Sequence, residues 1–88
     1  MSRVEASPEE LHAFAGRLSQ CAENVASEVD ATSAAFNALS DTWRDEKRDQ
    51  FEEVFSDLCN CIRRFREVCD DQVPYLHSLA ARLEDYLH

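Results

Sequence analysis

Leu39-Ser40-Asp41-Thr42-Trp43-Arg44-Asp45 is the one stretch of this chain where a long apolar periodicity lapses, and its reading decides the fold. It gathers serine, aspartate and threonine around the only tryptophan, and such short polar side chains satisfy the free backbone groups at helix ends. The stretch reads as a single bend over residues 40–45. Asp45 or Thr42 can cap the helix that follows, and Glu46 and Asp49 place negative charge near its positive N-terminal end.

Toward the N-terminus, Ser7-Pro8-Glu9-Glu10 is a helix start: a capping serine, a proline suited to the first helical position, and a glutamate that completes a capping box. Leu11, Phe14, Leu18, Cys21 and Val25 then recur at spacings of three and four. After one extra residue Val29, Thr32, Phe36 and Leu39 continue the stripe. This predicts a first helix over about residues 8–39. A flanking stripe of Ala15, Ala22, Val29 and Phe36 widens its apolar face, and its alanines would admit another helix closely.

Toward the C-terminus, Phe51, Phe55, Leu58, Ile62, Phe65, Cys69, Gln72, Leu76, Leu79, Leu83 and Tyr86 predict a second helix over about 46–87. Val54, Cys61, Val68 and Tyr75 form its side stripe. Pro74 lacks an N–H and crowds the preceding turn, so a kink or a break near 74 is expected, with Asp71 available to cap a terminal piece. The fold class is therefore all-α: one helical-hairpin domain over 1–88, its two helices antiparallel. Folded at Trp43, helix 1 runs out opposite Leu79. Leu79 to His88, including Leu83, Tyr86 and Leu87, are then expected to overhang by about 15 Å.

Two helices packed only on each other need one narrow seam apiece, whereas each of these shows two. The expected solution is dimerisation into a four-helix bundle, as a homodimer or as a heterodimer with a related hairpin. Ala15, Ala22, Val29, Val54, Cys61 and Val68 are the candidate dimer-seam residues. Eighteen acids against nine bases leave a formal charge of −9, which opposes binding to nucleic acid or anionic lipid. No run approaches the roughly 20 apolar residues of a membrane span, so no membrane insertion is expected. Met1 to Ala6 lack the apolar core of a secretory signal, which points to a cytoplasmic location.

The chemistry-bearing residues form no site by spacing. Cys59 and Cys61 point about 200° apart on a helix and cannot share an ion without unwinding it. Cys21, Cys61 and Cys69 fall on apolar stripes and read as reduced core thiols, with a Cys21–Cys61 disulfide across the hairpin as the redox alternative. Glu9-Glu10, Glu52-Glu53 and Asp70-Asp71 diverge from each other as consecutive helical residues do. His12, His77 and His88 have no nucleophile arranged around them, and no glycine-rich phosphate loop exists. No enzyme activity, metal or cofactor is expected. Arg63, Arg64 and Arg66 read as intrahelical partners of Glu67 and Asp70, or else as a docking spot for an acidic partner.

Leu39-x3-Trp43-x-Asp45-x5-Phe51, set between two long amphipathic helices in a chain of 88 residues, resembles the bend of the WXG family. These are the Esx-type helical-hairpin proteins of type VII secretion. In that family the bend carries Trp-x-Gly, with a large apolar residue before it and an aromatic eight residues after the tryptophan. Leu39, Trp43 and Phe51 match, and Asp45 stands in place of the glycine. The resemblance implies a small adaptor, targeting partner or secreted effector that binds a related hairpin, a secretion component or a larger toxin protein. It implies no catalytic residue, and places Trp43 at the hairpin tip, in a recognition groove or as a plug of the bend. The family's C-terminal export motif, Tyr followed four residues later by an acid, is not found: Leu79 follows Tyr75 at that distance, and Tyr86 is too near the end. A structural or regulatory adaptor unrelated to secretion is the alternative reading.

Overall fold

The computed structural model describes residues 3–87, with Met1, Ser2 and His88 outside it, as is the side chain of Leu87. Two helices make up the fold, α1 (Pro8–Leu39) and α2 (Glu46–Leu87). At the start of α1 the Ser7 hydroxyl accepts the Glu10 N–H at 3.1 Å, and the Glu10 carboxylate accepts the Ser7 N–H at 2.9 Å. That reciprocal pair closes a capping box and holds the Glu10 carboxyl below its ordinary pKa, through the Ser7 backbone N–H first and the hydroxyl second.

The bend is made by short polar side chains. Ser40 donates both its N–H (3.2 Å) and its hydroxyl (2.8 Å) to the Asn37 carbonyl. Thr42 and Trp43 donate their N–H groups to the Leu39 carbonyl at 2.9 and 2.8 Å, and the Thr42 hydroxyl adds a bond at 3.3 Å. Thr42 thus closes α1, while Asp45 opens α2 by accepting the Arg48 N–H at 3.0 Å. The single helix α2 continues through Pro74. The break that proline rules allow does not occur, because the seam against α1 is in phase on both sides of it.

The helices lie antiparallel in a particle 64 × 25 × 14 Å. Phe36 meets Phe55 and His12 meets His77 across the seam, so paired residue numbers sum to about 90. Folding at Trp43 would give a sum about one turn smaller. The bend spends most of its residues after Leu39, which slides α2 along α1 and shortens the expected overhang. The segment Glu5–Ser7, with Pro8 and Glu9, also runs beside Leu83, Glu84 and Tyr86 around a cavity of about 470 Å³.

Which stripe lies inside differs from the sequence expectation. Ala15 and Ala80 are wholly inaccessible, and Leu11, Ala22, Ala26 and Cys69 are buried with them. Ser19, Val29, Ser33 and Phe36 of α1, and Phe55, Cys59, Ile62, Val73, Leu76 and Leu83 of α2, are half-buried along the same seam. Ala15 and Ala22, expected to face a second chain, therefore pack against α2, and Val29 lines the same seam. Their small size lets the axes approach closely, so the flanking large residues cannot also turn inward. The consequence is testable: Ala15→Leu has no space to enter and should destabilise the fold by about 1 to 3 kcal/mol in chemical denaturation. An unchanged midpoint would mean that the helices pack less closely than this.

Candidate protein-binding surface

Successive residues lie about 100° apart around a helix. The residues just before each seam residue therefore form a neighbouring stripe, and in an antiparallel pair the stripes from both helices turn to the same side. On α1 that stripe holds Phe14, Leu18, Cys21, Val25 and Leu39; on α2 it holds Val54, Leu58, Cys61, Phe65, Val68, Tyr75 and Leu79. Many are wet: Phe14 is 57% exposed, Val54 68% and Val68 51%, with Leu39, Leu58 and Tyr75 in the same class. The opposite side, one residue after the seam, carries Asp30, Asn37, Ser56, Asn60, Arg63 and Asp70 beside hollows of mixed polar and apolar lining. One long face of the hairpin is thus apolar and the other polar.

At the bend end the apolar face runs into an aromatic cluster. Phe36 is its hub, with Trp43 edge-on at 6.2 Å between ring centroids, Phe51 at 5.2 Å and Phe55 at 6.4 Å. Phe51 and Phe55 stack at 5.3 Å. The Arg48 guanidinium lies 5.1 Å over the Phe36 ring and also reaches the Glu52 carboxylate. Trp43 is half-buried, Leu39 and Phe51 are exposed, and Asp45 is the exposed cap of α2. The four bend residues singled out from sequence therefore sit together at one end of the apolar face, two of them as open apolar surface.

Of the six seam candidates, Val54, Cys61 and Val68 lie on the exposed face; Ala15, Ala22 and Val29 do not. Phe14 and Leu58 belong to that face but read from sequence as interior, because they share the periodicity of the buried set. Residue size is the signal that separates them. Phe36 is legible from sequence only as a stripe member and Arg48 is not singled out at all, since their roles depend on the bend's geometry.

The thiols also differ from expectation. All four cysteines are free; Cys69 is buried, Cys59 half-buried, and Cys21 and Cys61 exposed. Cys21 neighbours Cys69, whose thiol is pushed up in pKa by burial first and by Cys21 second. Cys61 sits about eight residues nearer the bend than the turn facing Cys21, roughly 12 Å along the axis. That is beyond disulfide reach, so the Cys21–Cys61 switch is corrected. Arg63 donates to the Asn60 side chain at 3.0 Å rather than pairing with Glu67.

Two long antiparallel helices joined by one aromatic-lined bend define the class, an all-α helical hairpin. The chain belongs to the WXG100 family, described as proteins of 100 residues with WXG, which it matches over residues 3–86. Its fold is similar to that of the secreted protein EsxB of Bacillus anthracis. The wild-type crystal structure is 19% identical, covers 97% of this chain and 99% of its own, and superposes with a TM-score of 0.75. The selenomethionine-labelled crystal structure of EsxB is 18% identical, covers 100% of both chains, and gives 0.76. No curated protein sequence matches the chain. Among the described residues no helix is long and apolar enough to cross a membrane.

Proposed function

We propose that this protein is a non-enzymatic binding module of a type VII-like secretion system, which pairs with a second helical hairpin through its apolar face and travels as that complex. The observation that carries this reading is the set of exposed large apolar residues on one side of the hairpin, Phe14 and Leu39 of α1 with Val54, Leu58, Val68 and Tyr75 of α2. A face of a particle 64 × 25 Å in outline exceeds the roughly 800 Å² per partner that a stable interface needs. Covering its apolar side chains supplies the favourable term for association, set against the lost translational and side-chain freedom. The partner is a copy of this chain or a related hairpin. The family match and the secreted EsxB relative support the link to export from the cytoplasm.

Sedimentation across a wide concentration range tests the pairing. The chain alone, or mixed with a hairpin encoded beside it, should sediment at about twice its 10.1 kDa mass. A monomer in both mixtures at every concentration overturns the reading. Export is tested separately: a tagged chain should reach the culture medium only when the host's secretion ATPase is intact. Retention in the cell with pairing preserved would leave a helical adaptor unrelated to secretion.

A further inference from the structure

We infer that the open end of the hairpin is a binding site of its own, which takes a basic segment of another polypeptide. An arginine or lysine of that segment lays its aliphatic stem in the cavity beside Pro8, Leu83 and Tyr86 and sets its charge among the carboxylates of Glu5, Glu9 and Glu84.

The cavity follows from the register. With His12 opposite His77, the first residue of α1, Pro8, falls opposite about Ala81, so the last turns of α2 run past the start of α1. Only the non-helical segment Glu5–Ser7 covers them there, and a single strand of chain is slimmer than a helix. The space left over is about 470 Å³, within the roughly 300–1,000 Å³ of sites that hold a ligand. Its wall is chiefly apolar, with Ala6, the buried Pro8 and the half-buried Leu83 in it. Tyr86 stands beside them with 87% of its surface in water, so the fold makes little use of its ring.

The charged side chains that line the cavity are Glu5, Glu9 and Glu84, all of them acids. Glu5 accepts from Nε of Arg3 at 2.8 Å, and Glu84 lies 3.3 Å from Nε2 of His12. Glu9 has no ion-pair partner among the described residues. The Arg3–Glu5 pair lies in the open, its side chains 84% and 71% exposed, so an incoming guanidinium exchanges with it at little cost. The chain's own arginine thus shows the chemistry of this rim, and Glu9 remains for another cation. A net charge of −9 also draws a basic partner in from a distance.

Lysine and arginine suit such a place because their stems are apolar and only their heads need water or a counter-ion. An arginine head can further lie over the Tyr86 ring as a cation–π contact. The cavity exceeds the volume of a single arginine side chain, so an apolar neighbour enters with it. That requirement selects a polypeptide segment over a free small cation. The site lies beyond the apolar face and does not depend on the proposed pairing.

Titration of the full-length, isotopically labelled protein with a blocked tripeptide of leucine, arginine and leucine tests this by NMR. The amide resonances of Ala6, Ser7, Glu9 and Leu83 to Tyr86 should shift together and saturate. A tenfold rise in salt should weaken binding at least about threefold. Glu9→Gln with Glu84→Gln should weaken it at least about fivefold, and Tyr86→Ala about threefold. Leu58→Glu with Val68→Glu should bind the peptide as the native chain does. The same tripeptide with glutamate for arginine should leave the resonances in place, as should free guanidinium ion at equal concentration. The inference is overturned if the glutamate peptide binds as well, if guanidinium alone reproduces the shifts, or if the glutamine pair and Tyr86→Ala both keep native affinity. It is equally overturned if the shifts fall on the apolar face or vanish with Leu58→Glu and Val68→Glu. Tyr86 is exposed enough that its truncation leaves the fold intact, which keeps the test decisive should the glutamine pair disturb the helix end.

Discussion

Replacing Leu58 and Val68 together by glutamate should weaken hairpin pairing by at least a hundredfold while leaving the helix content of the isolated chain unchanged. Leu58 is 45% exposed and Val68 51% exposed, and neither lines the seam between α1 and α2. Within one chain the new carboxylates stand in water and cost little. Against a second hairpin they must be desolvated without a partner, which costs several kcal/mol, and about 1.4 kcal/mol is a factor of ten in affinity. In a homodimer the change enters twice, so the effect is larger still. Asn60→Glu, on the polar side beside Arg63, is the matched control and should leave pairing as it was. Sedimentation equilibrium reads the association and circular dichroism the helix content. If the double variant pairs as tightly as the native chain, the apolar face is not the interface. If it pairs weakly but also unfolds, the face is part of a fold that does not exist outside the complex.

How the two stripes were sorted shows what a sequence does and does not carry here. The lapse of periodicity at Ser40–Asp45 and the Ser7–Glu10 capping box are local events. Each rests on side chains bonding their own backbone, so each is readable without tertiary information. The choice between two adjacent stripes is not local, because both obey the same 3-4 spacing. What decides it is size: Ala15, Ala22 and Ala26 admit α2 to close range, and once it is there Phe14, Leu18 and Val25 are carried round toward the open side. The small alanines do admit a close helix, but that helix is the chain's own. Register was unreadable for a related reason. It depends on how many bend residues fall on each side of the turning point, which the hydrogen bonds of Thr42, Trp43 and Asp45 set. Once the register is known, the pairing of His12 with His77 and the separation of Cys21 from Cys61 follow from helical rise alone.

Phe36→Ala should be the most damaging single truncation at the bend, costing about 3 to 4 kcal/mol and lowering Tm by about 15 °C or more in a chain of this size. The reason is position: Trp43, Phe51 and Phe55 all meet the Phe36 ring, and Arg48 lies over it. Removing the ring leaves a void between α1, the bend and the first turns of α2, and it strips Arg48 of its cation–π partner. Arg48 keeps its Glu52 carboxylate partner, but its side chain is 21% exposed and its Nε is buried without a hydrogen-bond partner. Trp43→Ala should cost less, about 2 kcal/mol, because the half-buried indole meets only Phe36 and Phe51 among the aromatic rings. Its larger effect should fall on partner affinity, through the part of the indole that remains open. The comparison must be made at one fixed protein concentration, because pairing adds concentration-dependent stability. If Trp43→Ala proved the more destabilising of the two in the unpaired chain, the tryptophan would be the plug of the bend rather than part of a docking surface. If Phe36→Ala shifted stability by less than about 1 kcal/mol, the aromatic cluster would not be what holds the hairpin shut at this end.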